Sequence, residues 1–386
     1  MALRSLSFAG SRREAAPSLS RETSLYLDAV RFWAAVVVYL CHFSYRPISG
    51  GAFWQIGRYG PDAVVVFFVL SGFVIAHATA RETSLSTYIV DRAARIYSVA
   101  FPAIVITLVC DLIGSWLEPH YLDGFYSVGS TWEQILTGLT FTNQFWGAKF
   151  VPGSDLPYWS LGYEVPYYAV FAAAIFARGA WRILVPVALL LVAGPSIAAV
   201  FPLWLAGVGL YRLGRLRCVP EALGWLLFCG SIALWFGCEF WMYQLGAHSP
   251  FNPGLAFDEH GRLPLTYFTG ICFALNIVGI DAISHRFAWP LNWAARPIRW
   301  LAGRSFALYL VHFPVMKLAA TMMAGRTASW PGRLFILSTT AAVVLLVAML
   351  FESRKHAWRR FFAALLSGCR SFLRSMVARI WRTADA

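Results

Sequence analysis

Ten apolar runs, each about as long as a bilayer is thick, leave this chain little choice of architecture. They fall at 25–45, 62–80, 96–116, 158–177, 182–196, 198–212, 222–243, 264–284, 303–322 and 333–351. A helix of about 20 residues crosses about 30 Å of hydrocarbon. Composition agrees: 59% of residues are hydrophobic and 13% charged, against about 25% charged in soluble domains. The pattern predicts an all-α fold, a polytopic transmembrane bundle of about ten spans. The fifth and sixth runs are short and meet at Gly194-Pro195, which fits a tight hairpin or a tilted pair. Between the third and fourth runs, Leu117 to Pro157 is rich in Trp, Tyr and Gly. Such a segment is expected to lie on, or dip into, the outer interface.

The charges set an orientation. The formal net charge is +13. The basic residues cluster between apolar runs instead of forming a face for nucleic acid, so no nucleic-acid partner is expected. With the N-terminus inside, 24 of the 32 Lys and Arg fall in inner segments and 6 in outer ones. That bias predicts ten spans with both termini cytoplasmic. The polar stretch Met1–Arg21 reads as part of a cytoplasmic tail over 1–24, followed by a retained helix and not a cleaved signal peptide. The membrane domain runs over 25–352. The tail over 353–386 alternates basic residues with Trp358, Phe361, Phe362, Leu365 and Leu366, as an amphipathic helix on an anionic inner leaflet does. The seven cysteines include no CxxC pair and the histidines no ligand spacing, so neither disulfides nor a metal is inferred.

Costly polar groups then stand out. Arg31 and His42 lie in the first run, on about the same helix face and about 16 Å apart along it. Intramembrane ionisable groups are functional by default, although an arginine can snorkel and a histidine can bond a neighbouring helix. By topology Arg31 lies toward the cytoplasm and His42 toward the outside. Asp62 opens the second span at its outer end, and Ser71-Gly72 falls near its middle. There the pair either lets helices approach closely or lets a thin ligand chain pass. Glu164, near the start of the fourth span, is placed in the outer third, level with His42. A carboxylate there would fix the imidazole's tautomer; a glutamate held by tyrosines is the alternative. Arg92 and Arg95 share one face at the inner side, which suits phosphate and equally suits ordinary inner-side charge. Tyr309 and His312 fall near mid-membrane in the ninth span, either lining the cavity of His42 or packed in the core. Glu352 closes the last span, beside arginines.

Together these segments resemble the acyltransferase-3 family of integral membrane O-acyltransferases, which includes O-antigen and exopolysaccharide acetylases. The matching pieces are Leu27-Asp-Ala-Val-Arg31 through His42-Phe43, Phe67-Phe-Val-Leu-Ser-Gly-Phe73, Arg92 to Arg95, Trp159-Ser-Leu-Gly-Tyr-Glu164, Ser305 to Pro314 and Phe351-Glu352, in the family's order. The resemblance implies a ten-helix core that moves an acyl group, commonly acetyl, from cytoplasmic acyl-CoA to an acceptor outside. It implies functional roles for Arg31 with His42 and for Arg92 with Arg95. On that basis His42 is expected to act as general base oriented by Glu164, with Arg31 in the catalytic set. Arg92 and Arg95 would hold donor phosphates, the pantetheine arm would pass Ser71 and Gly72, and Asp62, Tyr309 and His312 would line the cavity. Expected partners are membrane lipids, acetyl-CoA or another acyl-CoA, and a glycan or other hydroxyl acceptor. A homo-oligomer is compatible with the sequence, and a bacterial inner membrane is the expected location. Acceptor choice is assigned to 46–61, 117–157 and 244–263. A transporter that uses the same polar cavity is the alternative function.

Overall fold

The computed structural model describes residues 19–80, 84–123, 129–213, 219–244 and 263–384. Among these, every regular element is helical. The helices are α1 (Arg21–Phe43), α2 (Arg46–Ser49), α3 (Trp54–Gly57), α4 (Gly60–Thr79), α5 (Leu85–Leu117), α6 (Thr131–Thr140), α7 (Leu161–Phe176), α8 (Trp181–Ala193), α9 (Pro195–Leu213), α10 (Glu221–Gln244), α11 (Leu263–Ile283), α12 (Ala288–Trp293), α13 (Ala295–Ala302), α14 (Ser305–Met322), α15 (Trp330–Leu350) and α16 (Lys355–Ala384). Each of the ten apolar runs coincides with one of α1, α4, α5, α7, α8, α9, α10, α11, α14 and α15. Eight helices among the described residues are long and apolar enough to cross a membrane; α7 has 16 residues and α8 has 13. The expected hairpin forms where α8 meets α9. Its turn is at Gly194, which has φ +100° and whose added Cβ would stand 2.8 Å from the Trp146 backbone nitrogen. A side chain there would be strained and would clash. Of the expected acceptor segments, 124–128 and 245–262 lie outside the described residues, as do 1–18 of the N-terminal tail.

One end of the bundle carries Arg31, Arg92 and Arg95, the other His42; they are called here the arginine end and the histidine end. α1 starts at the arginine end, where the Ser20 side chain caps it by accepting from the Thr23 backbone N–H at 3.0 Å. It packs against α4 and α14, and α14 against α5. α4 and α9 approach unusually closely. A Cβ on Gly72 would lie 1.9 Å from the Trp204 carbonyl oxygen, and one on Gly207 2.0 Å from that of Val69. Two glycines facing each other's backbones let the helices touch, a device of membrane bundles.

The segment between α5 and α7 goes deeper than an interface segment. The α6 capping box (Ser130 with Glu133) starts it at the histidine end. At its far end the Leu139 carbonyl accepts from the Tyr97 hydroxyl at 2.6 Å and the Gly138 carbonyl from the Tyr158 hydroxyl at 3.0 Å. Tyr97 stands roughly 30 Å along α5 from Leu117, so α6 enters the bundle instead of lying across it. The returning chain is clasped by Asp111 of α5, which accepts from the Ser154 N–H at 2.8 Å and the Ser154 hydroxyl at 2.5 Å. Asp111→Ala is expected to destabilise the protein by about 2–4 kcal/mol, because two bonds to a carboxylate are lost and the Ser154 donors stay buried. A lowered thermal unfolding midpoint in detergent checks this; an unchanged midpoint contradicts the clasp.

The C-terminal helix forms, and its packing differs from a helix lying only on lipid. α16 runs antiparallel along the first turns of α5. Trp358 meets Phe101 at 6.1 Å, Phe362 meets Tyr97 at 5.2 Å, and Arg359 Nε pairs with Asp91 at 2.5 Å. Phe361 and Leu365, beside that stripe, stay exposed.

Candidate active site

Two polar centres lie along the α1–α14 seam, joined by one turn of α14. The first is a narrow cavity of about 90 Å³ toward the arginine end, bounded by Arg31, Ser71, Arg92, Arg95, Glu164 and Tyr309, with Phe67 and Phe306 among its apolar walls. Arg31 is held by Asp28 at 2.8 Å and reaches the Ala302 carbonyl at 3.3 Å. Asp28 is a site residue that motif reading passed over, although its i, i+3 spacing to Arg31 was the available signal. Arg95 is exposed, while Arg92 is half-buried and stacks over the Tyr88 ring at 5.7 Å. Glu352 accepts from the Ala307 N–H at 3.3 Å and stands within electrostatic range of Arg95, Arg31 and Arg304. Arg31, Arg92, Arg95 and Arg304 thus outnumber Asp28, Glu164 and Glu352 by one at this end, which favours an anion there.

The second centre is a histidine pair. His42 Nδ1 lies 2.9 Å from His312 Nε2, and His312 Nδ1 lies 2.7 Å from the Leu308 carbonyl. A carbonyl only accepts, so His312 Nδ1 carries the proton. In a neutral ring its Nε2 then accepts, and His42 Nδ1 donates to it. The chain of bonds makes Nε2 the basic nitrogen of the His42 ring. His42 is 3% exposed and His312 fully buried, with Phe313 at 4.9 Å and Tyr45 at 5.6 Å from the His42 ring.

The expected pairing of His42 with Glu164 does not form. Glu164 Oε1 instead accepts from the Ser71 hydroxyl at 2.6 Å and from Tyr168. The reason is the entering segment. The 3₁₀ turn Leu156–Ser160 already lies inside the bundle, where Ser160 Oγ accepts from Tyr309 at 2.9 Å. α7 therefore begins deep, and Glu164 comes level with the middle of α4 instead of with His42. Gly72 is also displaced from its expected role, because it faces the backbone of α9 and is not a cavity wall. Ser71 does line the cavity, and it accepts from Trp204 Nε1 at 3.2 Å. Asp62 lies in a different cleft, between α1, α4, α10 and α11, accepting from Thr269 at 2.7 Å and Trp235 at 3.3 Å. Tyr309 bounds the cavity, and its ring meets Phe67 at 5.3 Å. It is one turn from His312, about 4.5 Å along the axis, so the Phe67–Tyr309 pair closes the cavity just short of the histidines.

The membrane helix bundle thus carries an arginine-lined cavity toward one end and a paired histidine toward the other. The acyltransferase domain profile matches residues 24–352, and the chain belongs to this acyltransferase-3 family. Over 356 residues it is 27% identical to the acyltransferase MdmB of Streptomyces mycarofaciens, covering 84% of this chain and 86% of that protein. It is 23% identical to the peptidoglycan O-acetyltransferase OatA of Listeria monocytogenes, covering 79% of this chain and 51% of OatA. Over 141 residues it is 31% identical to the exopolysaccharide production protein ExoZ of Rhizobium meliloti, covering 34% of this chain and 39% of ExoZ. No solved structure matches the chain.

Proposed function

We propose that this protein transfers an acyl group, acetyl in the simplest case, from cytoplasmic acyl-CoA to a hydroxyl of an envelope or exported glycan across the membrane. The His42–His312 pair carries the reading, because with His42 Nδ1 as the donor to His312 the basic nitrogen of the His42 ring is Nε2. The excess of basic residues on the arginine side supports placing that end in the cytoplasm of a bacterial inner membrane. The names of OatA and ExoZ support a glycan acceptor and an acetyl group.

The geometry supports the following steps. Phosphates of the donor cannot enter hydrocarbon cheaply, so they stay at the arginine end with Arg92 and Arg95. The pantetheine arm enters the cavity past Arg31 and Ser71. At 90 Å³ the cavity admits only a thin chain. Swinging the Phe67 and Tyr309 rings aside opens it toward His42. The acceptor hydroxyl comes from the histidine end as Tyr45 and Phe313 move. His42 Nε2 removes the hydroxyl proton while the oxygen bonds to the thioester carbonyl carbon. The carbon–sulfur bond then breaks, and the leaving thiolate takes the proton back from His42. His312 is a positioning residue that fixes the base, and Glu164 with Ser71 and Tyr168 shapes the passage.

Arg92→Gln and Arg95→Gln are expected to raise the KM for acetyl-CoA by about tenfold each, with a smaller change in kcat, since a phosphate contact is lost. Equal KM values in wild type and variants contradict the phosphate role. The reading itself is tested with purified protein given acetyl-CoA and a candidate glycan. Release of free CoA with a matching mass gain on the glycan is expected. Movement of an unmodified solute with no CoA release, as in a transporter, or ping-pong kinetics contradicts direct transfer.

A further inference from the structure

Between the first turns of α5 and the C-terminal helix lies a cleft of about 1090 Å³, lined by Ser86 and Thr87 of α5 and by His356, Arg359, Arg360 and Ser367 of α16. It is separate from the cavity of Arg31 and Glu164. The way α16 is seated explains its chemistry. Trp358, Phe362 and Leu366 are half-buried and recur every fourth residue, so one stripe of α16 faces α5. His356, Arg360 and Ser367 fall together on another face, which the packing turns along the edge of α5. No acidic side chain lines the cleft among the described residues. Asp91, on the same stretch of α5, is already held by Arg359, which tethers the tail and fixes one guanidinium at the cleft wall. Ser367 donates to the Ala364 carbonyl at 2.8 Å, and its hydroxyl is free to swing toward an anion. Arginines with hydroxyls, opposite no carboxylate, form a surface complementary to phosphate.

We propose that this cleft binds a phosphate group at the arginine face of the membrane. Two sources offer that chemistry there: the headgroup of an anionic phospholipid, and a phosphorylated nucleotide such as the far end of a CoA. The proposal does not depend on which acyl donor the enzyme uses, because binding is read without turnover.

The test uses the full chain in nanodiscs, with the variants Arg360→Gln, His356→Gln/Arg360→Gln and Arg360→Lys. In one arm the discs are pure phosphatidylcholine and the probe is adenosine 3′,5′-bisphosphate, with binding followed by calorimetry. In the other, phosphatidylglycerol is added and its retention is read by native mass spectrometry. The double Gln variant is expected to lose about tenfold or more in affinity or retention for at least one probe. Arg360→Lys is expected to keep most of it, and unfolding midpoints to stay unchanged because both side chains are exposed. Loss in the first arm alone names the nucleotide, loss in the second alone the lipid, and loss in both a general phosphate site. Failure of both probes to bind wild type, or equal binding by wild type and double variant in both arms, overturns the proposal. The same variants are assayed for acyl transfer. Intact transfer with no binding difference removes the cleft and leaves the acyltransferase reading standing.

Discussion

His42→Ala is expected to lower acyl transfer by about 10²- to 10⁴-fold, the range for losing a general base, while the protein still inserts and purifies as wild type. The large effect follows from the bonding around the ring. His312 Nδ1 at 2.7 Å from the Leu308 carbonyl forces the proton arrangement that leaves His42 Nε2 basic. The site is also sheltered from water, which at 3% exposure cannot stand in for the missing base. Insertion is spared because an alanine at the end of α1 breaks no helix, and what is lost is local packing and the one hydrogen bond to His312. A companion pair separates base from positioner. His312→Gln retains an acceptor for the His42 N–H and is expected to keep more activity than His312→Leu, with similar acetyl-CoA KM in both. Equal losses in the two would remove His312 from the positioning role. Near-normal turnover in His42→Ala would remove His42 from the chemistry altogether.

The second large effect concerns stability. Gly72→Ala adds one carbon where the Trp204 carbonyl oxygen would be 1.9 Å away. Both partners of that clash are fixed, one on the helix backbone of α4 and the other on that of α9. No rotamer change relieves it, and the helices must separate. Overpacking a well-filled core costs about 1–3 kcal/mol, and a backbone-to-backbone clash belongs at the upper end. Loss of folded protein from detergent extracts is therefore expected. If Gly72 served to let a ligand chain pass, the variant would instead fold normally and show a raised donor KM. Size-exclusion yield set beside kinetics tells the two apart.

These two residues also mark how far the sequence could be read. Hydropathy placed all ten apolar helices, eight of them long enough to span, because burial in lipid needs apolar length and little else. The helical period put Arg31 and His42 on one face of α1. Glu164 was set at the wrong level because depth was counted from Pro157 as if the span began at the surface. The chain from α6 to Ser160 enters the bundle through tertiary bonds, Tyr97 to Leu139 and Asp111 to Ser154, and no local pattern announces those. His312 carried the right residue type for pairing, but its contact with His42 spans 270 positions. For Gly72, close helix approach and ligand passage look alike until the facing helix is known.

The central claim is that the acyl group starts at the arginine end and finishes at the histidine end. Its most direct test is a sided assay in proteoliposomes of defined orientation. Acetyl-CoA labelled in the acetyl group is supplied only to the face carrying Arg92 and Arg95, and a glycan acceptor only to the other. The account predicts label on the acceptor across the membrane, with free CoA left on the donor side and no transfer by His42→Ala. Label appearing only on acceptor supplied to the same side as the donor would contradict it.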